Sequence, residues 1–218
     1  MHYKKLQEIL GKMQSQNYQV TSVFDIGANE GLWTKEWSQQ FPNAQFTLFE
    51  ANPVHTRPKW LDIKHHWIST VLSKPGIDKV DFYCMPNATH WGTGDSYYKE
   101  VTPYYEASNS VELKATTLDN VVVERILRPP QLIKLDTQGS EVDILSGANK
   151  TFETVDIVVC EMPIVEYNKG APTFDIYMNK FSNMGFVPVG IDQDHFSNGV
   201  FIQIDMVFIK KHLIHLVR

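Results

Sequence analysis

Two glycines and one carboxylate lie where an apolar segment of the sequence ends. In "VFDIGANEG", residues 23–31, Asp25 falls near the end of the apolar run, and Gly27 and Gly31 bound a turn into a predicted helix. Glycine permits positive φ angles and close approach of a ligand to the backbone, and a helix start offers unpaired N–H groups. The spacing matches neither the G-x-G-x-x-G of dinucleotide sites nor the phosphate-binding G-x-x-x-x-G-K-[ST]. A ligand without phosphate at this turn is therefore indicated.

A second acid narrows the choice of ligand. Glu50 ends the apolar segment of "FTLFEANP", where a carboxylate can accept both hydroxyls of a ribose. An acid there, with a glycine turn that binds no phosphate, suits a nucleoside joined to an amino acid, and S-adenosylmethionine is such a ligand. The predicted cofactor-binding residues are Asp25, Gly27, Asn29, Gly31, Glu50, Ala51, Ser69 and Asp136. The alternative is a tight strand-to-helix turn with ordinary surface acids.

Apolar runs alternate with helical segments along most of the chain. Strands are predicted at residues 22–26, 45–50, 65–69, 131–136 and 156–161, and helices at 31–41, 140–150 and 172–184. This alternation predicts an α/β fold with a doubly wound, mostly parallel sheet and helices on both faces. Two further runs, 186–191 and 200–209, leave no room for a helix between them and predict an antiparallel hairpin joined by "DQDHFSNG".

We expect a single domain over residues 1–218, with two additions to the sheet. Residues 1–20 predict an N-terminal helix, because Tyr3, Leu6, Ile9, Leu10 and Met13 mark one apolar face. Residues 78–117 predict an insertion, in which "VDFYCM" and "VELKATT" flank a polar, aromatic loop. Loops of this length in compact domains are usually functional or mobile. We expect this insertion on the acceptor side of the site.

Acids at two further strand ends are candidates for chemistry. Asp136 and Glu161 end predicted strands, and if these strands are neighbours both carboxylates can reach one place above the sheet. Such a pair could share a proton or hold Mg²⁺ with waters, although strand-end acids often only cap the next helix. His90 lies in "NATHWGTGDSYYKEVTPYY" and could act as a general base among aromatic residues that could stack on sugar faces.

The motifs together resemble a known family. "VFDIGANEGLWT", "FTLFEANP", "TTLDN", "LIKLDTQGSEVDILSGA" and "VEYNKGAP…MGF" occur in the order typical of the FkbM family of S-adenosylmethionine-dependent methyltransferases, from about residue 21 to 209. The resemblance implies the class I methyltransferase sheet of seven strands with an antiparallel hairpin at its end. It also implies O-methylation of sugar or polyketide hydroxyls, with S-adenosylhomocysteine as product. Certain other sugar and catechol methyltransferases place metal-binding acids in positions comparable with Asp136 and Glu161.

Composition limits the other functional classes. The chain has 218 residues, a net charge of −5 and 43% hydrophobic residues. The negative charge disfavours general nucleic-acid binding, although "RILRPP" and "KKHLIHLVR" keep an RNA or cap methyltransferase open. An inactive binding module with this fold is a further alternative. No apolar run approaches the roughly 20 residues of a membrane span. With two distant cysteines and no predicted signal peptide, a cytoplasmic location is expected.

Overall fold

The computed structural model describes residues 4–85, 93–106 and 108–218. The helices are α1 Lys4–Ser15, α2 Leu32–Ser38, α3 Leu118–Glu124, α4 Glu141–Ser146 and α5 Phe174–Asn183. The strands are β1 Ser22–Ile26, β2 Gln45–Glu50, β3 His65–Ser69, β4 Val71–Leu72, β5 Lys79–Cys84, β6 Asn109–Thr116, β7 Leu132–Leu135, β8 Ile157–Pro163, β9 Phe186–Ser197 and β10 Val200–Lys210. Short 3₁₀ turns lie at Thr151–Glu153, before β8, and at Lys211–Leu216, after β10.

The main sheet has seven strands in the order β3-β2-β1-β7-β8-β10-β9. The pairs β3–β2, β2–β1, β1–β7 and β7–β8 are parallel, whereas β10 runs antiparallel to both of its neighbours. The predicted mostly parallel sheet with a C-terminal antiparallel hairpin is therefore confirmed. The carboxyl ends of the five parallel strands meet at one edge, where ligands bind in open α/β sheets.

The hairpin is longer than its sequence pattern indicated. Residues 192–197, expected in the connection, continue β9, and Asn198 and Gly199 make the turn with φ angles of 49° and 77°. Two successive positive φ angles at Asn-Gly suit a tight turn whose twist matches that of the strands. Polar residues continue the strand because this end of β9 projects toward solvent. One consequence is that His195, expected in a loop, lies on a strand beside β10.

Two apolar layers cover the sheet. On one face, α3, α4 and α5 pack on a core that includes Phe24, Ile133 and Phe208. On the other face, α1 and α2 cover Val23, Leu132 and their neighbours. The predicted apolar face of α1 is confirmed, because Leu6, Ile9, Leu10 and Met13 are all buried; Tyr3 lies outside the described residues. The helix itself ends at Ser15, before the predicted residue 20.

The predicted insertion contains a small second sheet. β5 and β6 pair antiparallel, and β4 adds parallel to β6, in the order β4-β6-β5. Residues 93–106 then lie between β5 and β6, with a 3₁₀ turn at Pro103–Tyr105. Among the described residues, no helix is both long and apolar enough to cross a membrane.

Candidate active site

A cavity of about 280 Å³ opens at the carboxyl edge of the sheet. Its floor is formed by the ends of β1, β2 and β7, together with the start of α2 and of α4. Residues 70–72, which follow β3, form one wall with Phe82, and the insertion closes another wall with Thr93, Asp95, Ser96 and Tyr97. The cavity therefore lies where the glycine turn and the strand-end acids were predicted to meet.

The glycine turn fits closely against the end of β7. Gly27 has a φ angle of 79°, and a Cβ atom there would lie 1.7 Å from the carbonyl oxygen of Asp136. Gly31, with a φ angle of 78°, precedes α2, and a Cβ there would meet Leu48 at 3.2 Å. Gly27 and Asn29 line the cavity, whereas Gly31 is buried behind it. The two glycines thus set the path of the backbone, and residues 27–30 form the cavity wall.

Glu50 fastens the loops on either side of it. Its Oε2 accepts a hydrogen bond from the backbone N–H of Asn29 at 2.6 Å, and its Oε1 accepts one from that of Asn52 at 2.7 Å. Burial raises the pKa of Glu50, although these two N–H groups act in the opposite direction. Each carboxylate oxygen can accept a further hydrogen bond. Glu50 and the adjacent Ala51 line the cavity, so the acid can accept ligand hydroxyls from its wall.

Asp25 lies beneath the cavity and does not line it. One of its carboxylate oxygens accepts a hydrogen bond from the Thr34 hydroxyl at 2.6 Å, and the other lies 3.8 Å from Lys134 Nζ. Burial raises the pKa of Asp25 despite the nearby ammonium group. The side chain is fully buried, so its contacts order the turn from below.

Lys134 is the principal residue that the sequence interpretation missed. Its Nζ lies 2.9 Å from Asp136 Oδ2 and donates a hydrogen bond to the carbonyl of Gly27 at 3.2 Å. Burial alone would raise the pKa of Asp136, but the charge of Lys134, together with hydrogen bonds from Lys134, Glu161 and Gln138, holds the pKa below its ordinary value. Asp136 is therefore an ionised carboxylate on the cavity wall. A lysine inside the apolar segment "LIKL" was the signal that could have revealed this pair.

Glu161 lies behind the cavity wall and is joined to Asp136 by one side chain. The amide nitrogen of Gln138 donates to Asp136 Oδ1 at 2.9 Å and to Glu161 Oε2 at 2.5 Å. Burial, with the charges of Asp136 and Asp205, raises the pKa of Glu161 well above its usual range. The strands β7 and β8 are neighbours, as the prediction required. The pair therefore combines a carboxyl group whose pKa is lowered with one whose pKa is raised.

The remaining predicted residues do not line the cavity where the structure describes them. Ser69 does not line the cavity; its hydroxyl accepts a hydrogen bond from the indole N–H of Trp67, and Thr70 and Val71 form the wall instead. His90 lies outside the described residues. Sequence reasoning missed Asp95 as well, which lines the cavity from the insertion and accepts a hydrogen bond from the Asn52 amide at 2.5 Å.

Comparison with known families identifies the chain's relatives. The sequence model described as "Methyltransferase FkbM domain" matches residues 25–188. The chain belongs to the FkbM methyltransferase family. It is accordingly an S-adenosylmethionine-dependent methyltransferase, as the motif resemblance implied. No curated protein matches the sequence.

Solved structures of methyltransferases share the fold. Magnesium protoporphyrin IX methyltransferase (ChlM) from Synechocystis PCC 6803, with bound S-adenosylhomocysteine, has a TM-score of 0.50 at 6% identity, covering 94% of this chain and 80% of that one. The plantazolicin methyltransferase BamL, in complex with a triazolic desmethylPZN analogue and S-adenosylhomocysteine, has a TM-score of 0.50 at 10% identity, covering 95% and 86%. At these identities the likeness shows the fold, which is that of class I methyltransferases.

Proposed function

We propose that this FkbM methyltransferase moves the methyl group of S-adenosylmethionine to a hydroxyl of a sugar or glycoconjugate. The observation that carries the cofactor part is a cavity whose wall combines the carboxylate of Glu50 with the backbone turn of residues 27–30. Both ChlM and BamL are described with S-adenosylhomocysteine bound, on the same fold. The site and the family together favour this cofactor over a dinucleotide, whose phosphate-binding glycine pattern is missing.

The cofactor's parts correspond to different sections of the wall. We assign the ribose hydroxyls to Glu50 and the amino-acid end to the turn of residues 27–30 beside the N-terminus of α2. The adenine ring is assigned to the apolar wall of Val71, Leu72 and Phe82. Asp25 and Gly31 support this arrangement from behind, the first through Thr34 and the second by its close packing on Leu48. The methyl end then points toward Asp136.

Asp136 is the group we place beside the acceptor hydroxyl. As an ionised carboxylate, it can accept the hydroxyl's hydrogen bond and hold the oxygen in line with the methyl–sulfur bond. The carbon–oxygen bond forms as the carbon–sulfur bond breaks, the sulfonium becomes a neutral thioether, and the hydroxyl proton passes to Asp136 and then to solvent. Alignment of this kind can contribute roughly 7–11 kcal/mol to catalysis. Glu161 acts through Gln138, which holds both carboxyl groups, and the assignment of His90 as a base stays a prediction.

The sugar acceptor is supported by the character of the insertion. Tyr97 lines the cavity and its ring lies 5.0 Å from that of Tyr98, centroid to centroid. Aromatic rings with polar edges suit the faces of sugar rings. The net charge of −5 also suits an uncharged acceptor better than a polyanion.

Binding of S-adenosylhomocysteine to the purified chain tests the cofactor assignment. We expect saturable binding in calorimetry, weakened at least tenfold by Glu50→Ala and less by Glu50→Gln, which keeps one acceptor oxygen. Glu36→Gln, on the exposed side of α2, is the matched control and should bind as the unchanged protein does. Unaltered affinity in both Glu50 variants would refute the assignment.

Labelled methyl transfer tests the acceptor class. We expect incorporation into members of a panel of glycans and glycoconjugates, and none into capped RNA. Label in capped RNA alone would replace the sugar assignment with an RNA one. A protein that binds the cofactor but methylates nothing across the panel would favour an inactive binding module.

A further inference from the structure

We propose that Glu161, His195 and Asp205 form a binding site for one divalent transition-metal ion beside the cofactor cavity. The three residues lie on the adjacent strands β8, β9 and β10, and Asp205 is the direct cross-strand partner of Glu161. One ligand atom from each residue lies within 4.8 Å of the others. The exposed fractions of the His195 and Asp205 side chains are 25% and 13%, which leaves an entry path for an ion from solvent.

Among the buried polar atoms on these strands that lack hydrogen-bond partners, two belong to residues at this site. Nε2 of His195 is one; it lies 3.8 Å from Asp205 Oδ1, which is too long for a hydrogen bond. Oε1 of Gln193 is the other, and Gln193 is the cross-strand partner of Asp205. Opposite residues of an antiparallel pair project on the same face of a sheet. Leaving a buried nitrogen and a buried amide oxygen without partners costs free energy of folding. An ion held between them and the two carboxylates would offset that cost.

The local charge also favours a cation. Asp205 is the cross-strand partner of Glu161, and Gln138 joins Glu161 to Asp136, so three acids lie together at this edge of the sheet. The ammonium group of Lys134 is already placed between Asp25 and Asp136. A divalent ion would supply positive charge between Glu161 and Asp205.

The set of donor atoms indicates the class of metal. One imidazole nitrogen with two carboxylates suits Zn²⁺ or Mn²⁺, whereas Mg²⁺ prefers oxygen atoms and keeps several waters. This differs from the expected Mg²⁺ at Asp136 and Glu161. Asp136 lies instead in an ion pair with Lys134 at 2.9 Å, and the structure groups Glu161 with His195 and Asp205.

Gln138 connects this site to the cavity. Its amide group contacts both Asp136, on the cavity wall, and Glu161, in the metal site. An ion there would lie one side chain away from the carboxylate assigned to the acceptor. The contribution of the ion to methyl transfer, which would act electrostatically through Gln138 and Asp136, rests on the proposed function. The binding of the ion does not depend on the proposed function.

Metal titration of the full chain tests the site without any cofactor. Protein stripped with a chelator is titrated with MnCl₂, followed by the electron paramagnetic resonance signal of free Mn²⁺, and with ZnCl₂ in calorimetry. We expect one saturable equivalent for at least one of the two ions. His195→Gln and Asp205→Asn should each weaken binding at least tenfold. Asp194→Asn, at the exposed position beside His195, is the control and should leave affinity unchanged.

Thermal unfolding provides a second readout that exposes a misfolded variant. The ion should raise the melting temperature of the unchanged protein and of Asp194→Asn, but not that of His195→Gln, because only a bound ligand stabilises the folded state. The absence of saturable binding to the unchanged protein would overturn the proposal, as would equal affinity in His195→Gln and Asp205→Asn. Titration with S-adenosylhomocysteine in chelator separates the two proposals, because cofactor binding then persists whether or not the metal site exists.

Discussion

At the scale of single residues, the charge of Lys134 acts against burial to lower the pKa of two acids of the site, Asp25 and Asp136. Its ammonium group lies between Asp25 and Asp136, at 3.8 and 2.9 Å from the nearest carboxylate oxygens. Asp25 is fully buried and Asp136 borders the cavity. Removing one partner of a buried ion pair usually costs more than the pair contributes, because the other charge is left uncompensated.

The substitution Lys134→Met should therefore destabilise the fold in a pH-dependent way. The pKa of Asp136 is below its ordinary value in the folded chain, so the pair stabilises the fold above about pH 4 and that stability is lost as the pH falls through the folded pKa. In the variant the pKa of both Asp25 and Asp136 rises. We expect a loss of about 2–4 kcal/mol near neutral pH that shrinks toward pH 4. Urea unfolding across this pH range measures it.

Lys169→Met is the comparison for loss of a lysine at an exposed position. Its effect on the free energy of unfolding should be within about 0.5 kcal/mol and independent of pH. A pH-independent loss in Lys134→Met would contradict the role of the charge and assign its effect to packing alone.

Some site residues were predictable because a local pattern identifies them. Gly27 and Glu50 follow apolar strands directly, and strand ends at one edge of a parallel sheet must meet. The sequence did not predict three other site residues, Lys134, Asp95 and Thr70, for different reasons. Lys134 lies within a buried strand, and the apolar pattern around it does not specify which acids it contacts. Asp95 reaches the cavity through the fold of the insertion, which no periodicity specifies, and Thr70 lies one residue beyond a correctly predicted strand, where the sequence carries no motif.

At the scale of elements, the turn from β1 into α2 requires both a positive φ angle and the absence of a side chain at Gly27.

The three strands at residues 22–26, 45–50 and 65–69 were predicted with the bounds that the structure shows, because apolar runs and turn residues delimit them. The bounds of the hairpin strands were not predicted correctly, because the polar residues of β9 resemble a loop. The Asn198–Gly199 turn signal lay within that apparent loop. Local composition thus locates buried strands better than solvent-exposed ones.

Gly27→Ala should be far more damaging than a matched substitution elsewhere. The new Cβ would lie 1.7 Å from the carbonyl oxygen of Asp136, so the ends of β1 and β7 must separate. Gly76 has a similar φ angle of 84°, but a Cβ added there would meet no atom within 4 Å. We expect Gly76→Ala to cost about 1–2 kcal/mol, the conformational term alone, and Gly27→Ala about 3–5 kcal/mol. If urea unfolding shows the same loss of unfolding free energy in both variants, the end of β7 moves away from the new Cβ atom at little energetic cost.

At the scale of the whole molecule, the insertion covers the cavity and is fastened to two parts of the main domain. The hydroxyls of Tyr97 and Tyr98 donate to Asp143 Oδ2 of α4 at 3.2 and 3.0 Å. On the other side, the amide of Asn168 donates to the carbonyl of Tyr98 at 2.8 Å, and the backbone N–H of Val101 donates to the carbonyl of Tyr167 at 2.8 Å. The cofactor cavity is therefore closed by contacts with the segments that follow β7 and β8.

Asp143→Ala should loosen this cover without removing any residue of the cavity wall. Hydrogen bonds to a charged group contribute about 1.5–3 kcal/mol each, so the loss of both tyrosine contacts should speed amide exchange in residues 93–106 at least tenfold. Dissociation of S-adenosylhomocysteine should accelerate as well, because Tyr97 lines the cavity. Lys74→Ala is the matched control: it removes the other partner of Asp143, an ammonium group at 3.2 Å whose side chain is 47% exposed, but leaves both tyrosine hydroxyls bonded. If amide exchange in residues 93–106 is equally fast in the two variants, the ion pair rather than the tyrosine hydroxyls holds the insertion. The two aromatic side chains would then be available to contact the acceptor.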